Sequence, residues 1–307
     1  MLIVGTRAHL EDLDRSYTYA EDVSVTDVAV GSFFGGVGSL LPGSARPTWG
    51  LLDKQRIVAI GDFDITPVVR FPQANAQAMA AASSGLLLVG LDGAHLVSVS
   101  SDGAVTPLDS FDNLEGRDAW GNPAAPTPDL RSIAVSEADV WFVSVHVGGL
   151  WRSKDQGASW QNVIPAESDV HEVVTGAGGE VAVAAAVGLG WSGDGGDSWQ
   201  WISDGLHAGY ARAVALDGDT AYLTASTGPQ TTDGRLYRCR RGEAFEPCAG
   251  GLPGSFPFNL DTGSLSASGG KVALGTRDGH VFRSPDSGSS WELVGEGMRP
   301  VRVVRFT

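Results

Sequence analysis

The sequence predicts an all-β protein, a seven-bladed β-propeller built from four-stranded antiparallel blades. The first observation is composition: 42 of the 307 residues are glycine and only 19% are charged, as in turn-rich β proteins with a sizeable core. The second is an eight-residue motif that occurs three times. The third is that each chain end carries part of a repeat that the other end can complete.

The repeated motif has the form S-x-D-x-G-x-x-W. It reads SKDQGASW at 153–160, SGDGGDSW at 192–199 and SPDSGSSW at 284–291. Each copy lies in a unit of about 40 residues that contains four short apolar-alternating runs separated by turn residues. Runs of this length and alternation are typical of strands, and four strands per unit are typical of a propeller blade.

A catalytic constellation is normally built once, whereas a structural turn can recur in every repeat. We therefore interpret the motif as the turn between the third and fourth strands of a blade. Glycine supplies a positive φ, aspartate and serine accept backbone N–H groups, and tryptophan buries its ring in the blade. The motif positions are Ser153, Asp155, Gly157, Trp160, Ser192, Asp194, Gly196, Trp199, Ser284, Asp286, Gly288 and Trp291.

Less regular units extend the repeat in both directions. The N-terminal stretch LIVGTRAHLEDLDRSYTY supplies three strands and lacks a first one. A less regular blade follows between residues 26 and 72, and the next unit keeps the motif residues Ser100 and Asp102. After two units with complete motifs, the sixth has an insertion and places Cys239 where the motif serine would stand. The seventh unit carries the last motif copy.

The run VRVVRF at 301–306 remains as a single apolar-alternating strand. We predict that it joins the three N-terminal strands, so that one blade combines about residues 1–25 with residues 300–307. Closure of this kind leaves no free sheet edge in the ring. The expected organisation is a single propeller domain over residues 1–307.

The formal net charge of −15 argues against a nucleic-acid partner, because an acidic surface repels phosphate backbones. The N-terminal apolar run is far too short for a signal peptide, and the longest apolar stretch, 181–191, is too short to span a bilayer. We therefore expect a cytoplasmic, monomeric protein that does not contact a membrane.

Two cysteines, Cys239 and Cys248, flank a turn in YRCRRGEAFEPC. A metal pair is not expected, since nothing nearby completes a tetrahedral ligand set. A disulfide requires strands that place the two residues opposite each other, and free thiols are usual in a reducing cytoplasm. The sequence leaves both states open.

The three motif copies resemble the Asp-box, or bacterial neuraminidase repeat. Residues 131–300 also look like bacterial Asp-box propellers labelled sialidase-like or glycosyl hydrolase, through HVGGLWRS, SDVHEV, GLHAGYARAVA and GHVFRSPDSG. The resemblance implies a ligand face opposite the motif turns, formed by the loops that lead into each first strand and by the loops between second and third strands. Sialidases are typically six-bladed and carry an Arg-Ile-Pro motif, whereas this chain has RIVAI at 56–60. The resemblance therefore implies the fold rather than sialidase activity.

Repeat register gives candidate residues on that face. Aligning LRSIAV, VHEVVT and ARAVAL places Arg131, His171 and Arg212 at one equivalent position in three consecutive blades, where inner strands begin at the channel mouth. Guanidiniums and an imidazole on an acidic protein attract an anionic group. We predict a small polar ligand, carbohydrate-like or anionic, where loops 166–172 and 204–212 meet. The alternative is that each arginine pairs with a neighbouring acid and that the histidines are structural.

Neighbouring loops add further candidates for ligand binding. His207 and Tyr210 precede one of the aligned strands, and Trp120 lies in the long polar loop 112–130. Long loops are uncommon unless they are functional or disordered, so the Trp120 ring could stack on a sugar or simply seal the loop. The loops between second and third strands contribute His146 and Asp278, and Arg7 and Arg277 lie close by in the sequence.

Three classes of function remain open. A hydrolase acting on a carbohydrate or similar polar molecule needs two carboxyl groups, for which Asp169, Glu172 and Asp278 are the candidates. An enzyme dependent on a divalent metal such as Zn or Fe would use the histidine ligands His146, His171 and His207. A non-catalytic scaffold would bind a protein partner across the propeller face.

Overall fold

The computed structural model describes residues 1–31, 47–122 and 125–307. Within these ranges the chain forms seven four-stranded antiparallel sheets, which confirms the predicted seven-bladed β-propeller. The stretch 32–46 of the predicted irregular blade and residues 123–124 of the long loop lie outside the described residues.

We number the strands in chain order and the blades I to VII. Blade I contains β1 (Leu2–Thr6), β2 (His9–Asp12), β3 (Tyr17–Glu21) and β28 (Val301–Phe306). Blade II contains β4 (Val25–Val30), β5 (Thr48–Leu52), β6 (Arg56–Ile60) and β7 (Ile65–Arg70). Blade III contains β8 (Ala76–Ala81), β9 (Leu87–Leu91), β10 (His95–Val99) and β11 (Val105–Pro107).

The remaining blades follow the same order. Blade IV contains β12 (Leu130–Val135), β13 (Trp141–Val145), β14 (Gly149–Ser153) and β15 (Gln161–Ile164). Blade V contains β16 (Val170–Thr175), β17 (Val181–Ala185), β18 (Gly188–Ser192) and β19 (Gln200–Ile202). Blade VI contains β20 (Tyr210–Asp217), β21 (Thr220–Ser226), β22 (Arg235–Arg240) and β23 (Glu246–Pro247). Blade VII contains β24 (Leu265–Ser268), β25 (Lys271–Gly275), β26 (Val281–Ser284) and β27 (Glu292–Gly295).

In the described ranges, helical structure is confined to short segments in the loops. One turn of α-helix, α1, spans Asp109–Asp112. Single 3₁₀ turns occur at Asp92–Ala94, Arg117–Ala119, Ala166–Ser168 and Ala177–Gly179. No helix in the described part of the chain is long and apolar enough to cross a membrane.

The first strand of each blade lines the central channel, and in blade I this strand is β28. Contacts join these inner strands into a closed ring in the order β28, β4, β8, β12, β16, β20, β24 and back to β28. The channel mouth is therefore built from seven segments that are far apart in the chain.

Buried side chains of the described residues form seven apolar clusters, one between each pair of neighbouring blades. Strand β17 shows how alternation produces this arrangement. Val181 and Val183 pack toward blade IV, whereas Ala182 and Ala184 pack toward blade VI. Since successive side chains in a strand point to opposite faces, a strand covered on both sides is apolar at every position, as β17 is.

Both chain ends meet in blade I, as predicted. Strand β28 pairs antiparallel with β1, with Leu2 opposite Phe306 and Val4 opposite Val304. Backbone hydrogen bonding between the two termini therefore completes blade I and closes the ring, which leaves only short, protected edges.

The three S-x-D-x-G-x-x-W turns lie between third and fourth strands and share one hydrogen-bond pattern. Ser192 Oγ accepts the amide of Gly196 at 2.8 Å and donates to Asp194 at 2.8 Å. The Asp194 carboxylate accepts the amide and hydroxyl of Ser198 at 2.9 and 2.6 Å, and these bonds lower the pKa of Asp194. The copies at 153–160 and 284–291 repeat the same bonds. The recurrence of the motif is thus explained by turn geometry.

Candidate functional site

Six inner strands in the described chain begin with a β-bulge at the same end of the channel. The first residue left without a partner at each register shift is Thr26, Gln77, Arg131, His171, Arg212 or Arg302. A bulge leaves one residue out of the ladder and changes the direction of its side chain. Except for His171, these residues line one cavity at the channel mouth.

This cavity has a volume of about 570 Å³ and five arginines line it among the described residues. They are Arg7, Arg131, Arg212, Arg277 and Arg302. Two acids, Asp129 and Asp261, and the polar residues Thr26, Gln77 and Thr262 complete most of the wall. We call this cavity the arginine mouth.

Arg131 and Arg212 each contact an acid. Arg212 Nη1 lies 2.5 Å from Asp261 Oδ1, and its Nη2 donates to the Tyr210 hydroxyl at 3.3 Å. Arg131 Nη1 lies 3.7 Å from Asp169 Oδ1. Arg131 and Arg212 therefore follow the alternative interpretation of the sequence, in which each arginine contacts a neighbouring acid.

Arg7, Arg277 and Arg302 are different, because none of them forms an ion pair within the described ranges of the chain. The Arg277 guanidinium lies over the Phe258 ring, 5.4 Å from its centroid. Burial and the adjacent Arg7 charge lower the pKa of Arg302. Like charges are thus held together here without a carboxylate partner.

His171 does not reach the cavity, although it occupies the bulge position. Its side chain is fully buried, with Nδ1 donating to the Ala211 carbonyl at 2.5 Å and Nε2 lying 3.2 Å from Asp169. The contact with His171 lowers the pKa of Asp169. His171 therefore links blades V and VI and positions Asp169 beside Arg131.

Behind the mouth, Asp27 and Glu172 occupy the position that follows the bulge. Glu172 accepts the amides of Val214 and Gly263 at 3.0 and 3.1 Å, and Asp27 accepts the amide of Met79 at 2.9 Å. These bonds join neighbouring inner strands. Burial raises the pKa of Glu172 to about 7, and burial likewise raises the pKa of Asp27.

Arg305 provides the nearby positive charge for both carboxylates. Its Nη2 lies 3.6 Å from Asp27 Oδ1 and 4.0 Å from Glu172 Oε1. All three residues line a second cavity of about 440 Å³, the central channel. The arrangement stabilises the inner ring, with two acids sharing one guanidinium.

The structure places the other candidates apart from one another. His146 contacts Asp129 at 3.1 Å, and His207 contacts the Tyr237 hydroxyl at 2.8 Å. Asp278 lies in the turn after β25, where Thr276 donates to it. No group of three potential metal ligands occurs among the residues that the structure describes.

Trp120 lies in an aromatic cluster. Its ring centroid is 5.6 Å from those of Phe111 and Trp151, and the Arg117 guanidinium lies 4.6 Å from the ring centroid. These contacts match the interpretation in which Trp120 seals its loop. Cys239 and Cys248 are both buried free thiols, and burial raises the pKa of each to about 12.

Sequence reasoning missed three residues of this region: Asp27, Arg302 and Arg305. Repeat register contained a signal for Asp27 and Arg302 but none for Arg305, which aligns with Ala134. Arg302 in VRVVRF stands where Arg131 stands in LRSIAV, and Asp27 stands where Glu172 stands. The run 301–306 was interpreted only as the strand that completes blade I. Its residues were not compared with those of LRSIAV, VHEVVT and ARAVAL.

The fold defines a class of protein, the seven-bladed β-propellers, and comparisons with solved structures agree. An ancestral GH74 enzyme superposes with a TM-score of 0.60 at 17% identity, covering 95% of this chain and 40% of that one. A structure of YCF48 bound to D1 peptide gives 0.55 at 12% identity, covering 95% and 84%. A GH74 enzyme from Niastella koreensis gives 0.50 at 15% identity, covering 96% and 43%.

These likenesses show the fold alone. The chain spans about 40% of the length of the ancestral GH74 enzyme. No family model matches the sequence, and no curated protein does. The function must therefore be argued from the residues of the site.

Proposed function

We propose that the protein is a binding module for a small polar anionic ligand at the arginine mouth. The observation that carries this proposal is the convergence of five guanidiniums, from described residues of four blades, on one cavity of about 570 Å³. That volume lies in the range of pockets for small molecules, roughly 300–1,000 Å³. Arginine binds carboxylate and phosphate oxygens through paired N–H groups.

The charge pattern supports an anionic ligand. The chain has a net charge of −15, and many arginines elsewhere contact acids, such as Arg235 with Asp233 and Arg283 with Asp14. Acids are therefore abundant, yet three guanidiniums of the mouth form no ion pair with any described acid. Such a local positive field on an acidic protein attracts and concentrates small anions.

Binding is favoured over hydrolysis by the contacts of the candidate carboxylates. Glu172 has the raised pKa of a general acid, but both its oxygens accept backbone amides. Asp169 contacts Arg131 and His171, and Asp278 belongs to a turn. The superposed structures include both GH74 enzymes and a peptide complex, so the fold accommodates either class.

The test is calorimetric titration of the protein with sodium glucuronate, glucose 6-phosphate and glucose at low ionic strength. We expect saturable binding of the two anions and none of glucose, with affinities that fall as NaCl is added. Absence of saturable binding by either anion would overturn the proposal, as would equal binding of glucose.

Arg212→Ala provides the matched mutational test. Because Arg212 lines the mouth, its loss should weaken anion binding about tenfold, as expected for a charge-assisted hydrogen bond. Its ion pair with Asp261 is half exposed, so the melting temperature should change little. Arg240→Ala is the control, since Arg240 is exposed at the end of β22 and does not line the cavity. A lower melting temperature with unchanged affinity would assign Arg212 a purely structural role.

A further inference from the structure

Resting on the proposed function, we infer that the anionic group of the ligand is a dianionic phosphate monoester. The subsite for it consists of Arg7, Arg277 and Arg302, which we call the guanidinium triad. The remainder of the ligand is a small hydroxyl-rich body that occupies the rest of the arginine mouth.

Backbone hydrogen bonds bring the triad together. The Arg7 amide donates to the Pro300 carbonyl at 3.2 Å, and the Val301 amide donates to the Thr276 carbonyl at 3.0 Å. These bonds join the turn after β1, the turn after β25 and the beginning of β28. Three guanidiniums are therefore presented from one hydrogen-bonded junction between blades VII and I.

Within the described residues, Asp261 acts on Arg302 only at longer range, and none of the three guanidiniums has a carboxylate in direct contact. Ion pairs are absent for Arg7, Arg277 and Arg302 in the described ranges, and the Arg7 charge acts directly on Arg302. Repulsion between adjacent like charges is unfavourable unless an anion relieves it. The repulsion between these guanidiniums is thus a second indication, in addition to the cavity, that an anion binds at the guanidinium triad.

The number of guanidiniums favours a phosphate over a carboxylate. A carboxylate carries one charge on two oxygens and is satisfied by one bidentate arginine. A phosphate monoester carries a charge of about −1.5 to −2 at neutral pH and three strong acceptor oxygens. Three guanidiniums match those oxygens and that charge.

The remaining polar residues of the mouth favour hydroxyl groups. Besides the arginines, the cavity is lined by Asp129, Asp261, Thr26 and Gln77. Carboxylates accept hydrogen bonds from hydroxyls and repel a second anionic group. A sugar phosphate therefore has the required combination of one dianionic end and one hydroxyl-rich end.

The experiment compares glucose 6-phosphate, glucose 6-sulfate and glucuronate by calorimetry at pH 7.5. We expect glucose 6-phosphate to bind at least tenfold more tightly than either monoanion. Because the second phosphate pKa is about 6, this preference should shrink at pH 5, while glucose 6-sulfate serves as the reference whose charge stays constant. A preference below tenfold at pH 7.5 would overturn the phosphate inference, and binding of glucuronate would still leave the proposed function standing.

Variants locate the subsite. Arg277→Gln and Arg302→Gln each remove one guanidinium from the cavity lining, and each should reduce the phosphate preference to less than threefold. Arg240→Gln should preserve it, and circular dichroism and thermal melting should confirm that all three variants are folded. A full phosphate preference retained in both Arg277→Gln and Arg302→Gln would place the subsite elsewhere and contradict the inference.

Discussion

Glu172 combines a buried carboxyl group with two backbone hydrogen bonds and an ion pair of 4.0 Å with Arg305. Burial is the largest influence and raises its pKa to about 7. The folded protein therefore binds more protons than the unfolded chain between about pH 4.5 and 7. The contribution of Glu172 to stability is consequently greatest below this range and falls as the pH rises through it.

Glu172→Gln tests this pH dependence. Glutamine does not ionise, so the free energy of unfolding of the variant relative to wild type should rise between pH 5 and pH 8. The pKa difference corresponds to a rise of about 3 kcal/mol at most. Urea unfolding of both proteins at pH 5, 6, 7 and 8 measures it. Parallel pH profiles would show that Glu172 keeps an ordinary pKa in the folded protein.

Single residues also show where sequence register is informative about the site. Arg131, His171 and Arg212 do share one position in the structure, at the bulge. Their side chains nevertheless diverge, because His171 turns inward to the Ala211 carbonyl. Equivalence in a repeat predicts the position of the backbone but leaves the side-chain direction to local packing.

The three S-x-D-x-G-x-x-W turns share one hydrogen-bond pattern, so we expect the same mutation to have the same effect in each. Asp194→Ala removes the acceptor for the amides of Asp197 and Ser198 and for the Ser198 hydroxyl. The melting temperature should fall by a few degrees, since the turn amides lose their intramolecular partner. Differential scanning calorimetry measures the change.

Asp194→Asn is the matched control, because asparagine keeps one acceptor oxygen and should lose less stability. Anion binding below the melting transition should be unchanged in both variants, since the turn lies outside the cavity. Normal stability together with lost binding would contradict the structural role of the motif.

The turns and the bulges differ in how far they can be predicted. Ser192, Asp194 and Gly196 form a local unit whose hydrogen bonds connect neighbours in the chain, so the motif spacing predicts the turn. The bulge at Arg302 depends on how β28 pairs with β1. Register between distant strands has no local signature, so the bulge itself could not be predicted, although aligning VRVVRF with LRSIAV would have placed Arg302 at the position of Arg131.

At the scale of the whole molecule, ring closure makes the C-terminus essential. Strand β28 is the inner strand of blade I, and its side chains Val301 and Val304 pack between blades VII and I. Deleting residues 300–307 should expose the edges of β1 and open the ring, giving aggregation or unfolding. Size-exclusion chromatography and thermal melting measure the outcome.

Deletion of Thr307 alone is the control, because Thr307 follows the last strand and its removal should leave a folded monomer. A soluble truncation lacking residues 300–307 that still unfolds cooperatively would contradict the role of closure. The same truncation removes Arg302 and Arg305, so it should also abolish anion binding.

The blade count, the four-strand units, the placement of the motif turns and the pairing of the two chain ends could all be predicted from the amino-acid sequence. These features depend on short-range periodicity and on repeats that can be aligned without knowing any contact. Which side chains come together at the channel mouth could be learned only from the folded protein. Arg7, Arg277 and Arg302 converge because backbone hydrogen bonds join three segments that are distant in the chain. By contrast, the side chains of His171, Trp120 and Glu172 make their contacts outside the arginine mouth. Side-chain direction at the channel mouth depends on bulges and on contacts between neighbouring blades. These contacts arise from packing around the ring, and the repeat period of the sequence does not encode them.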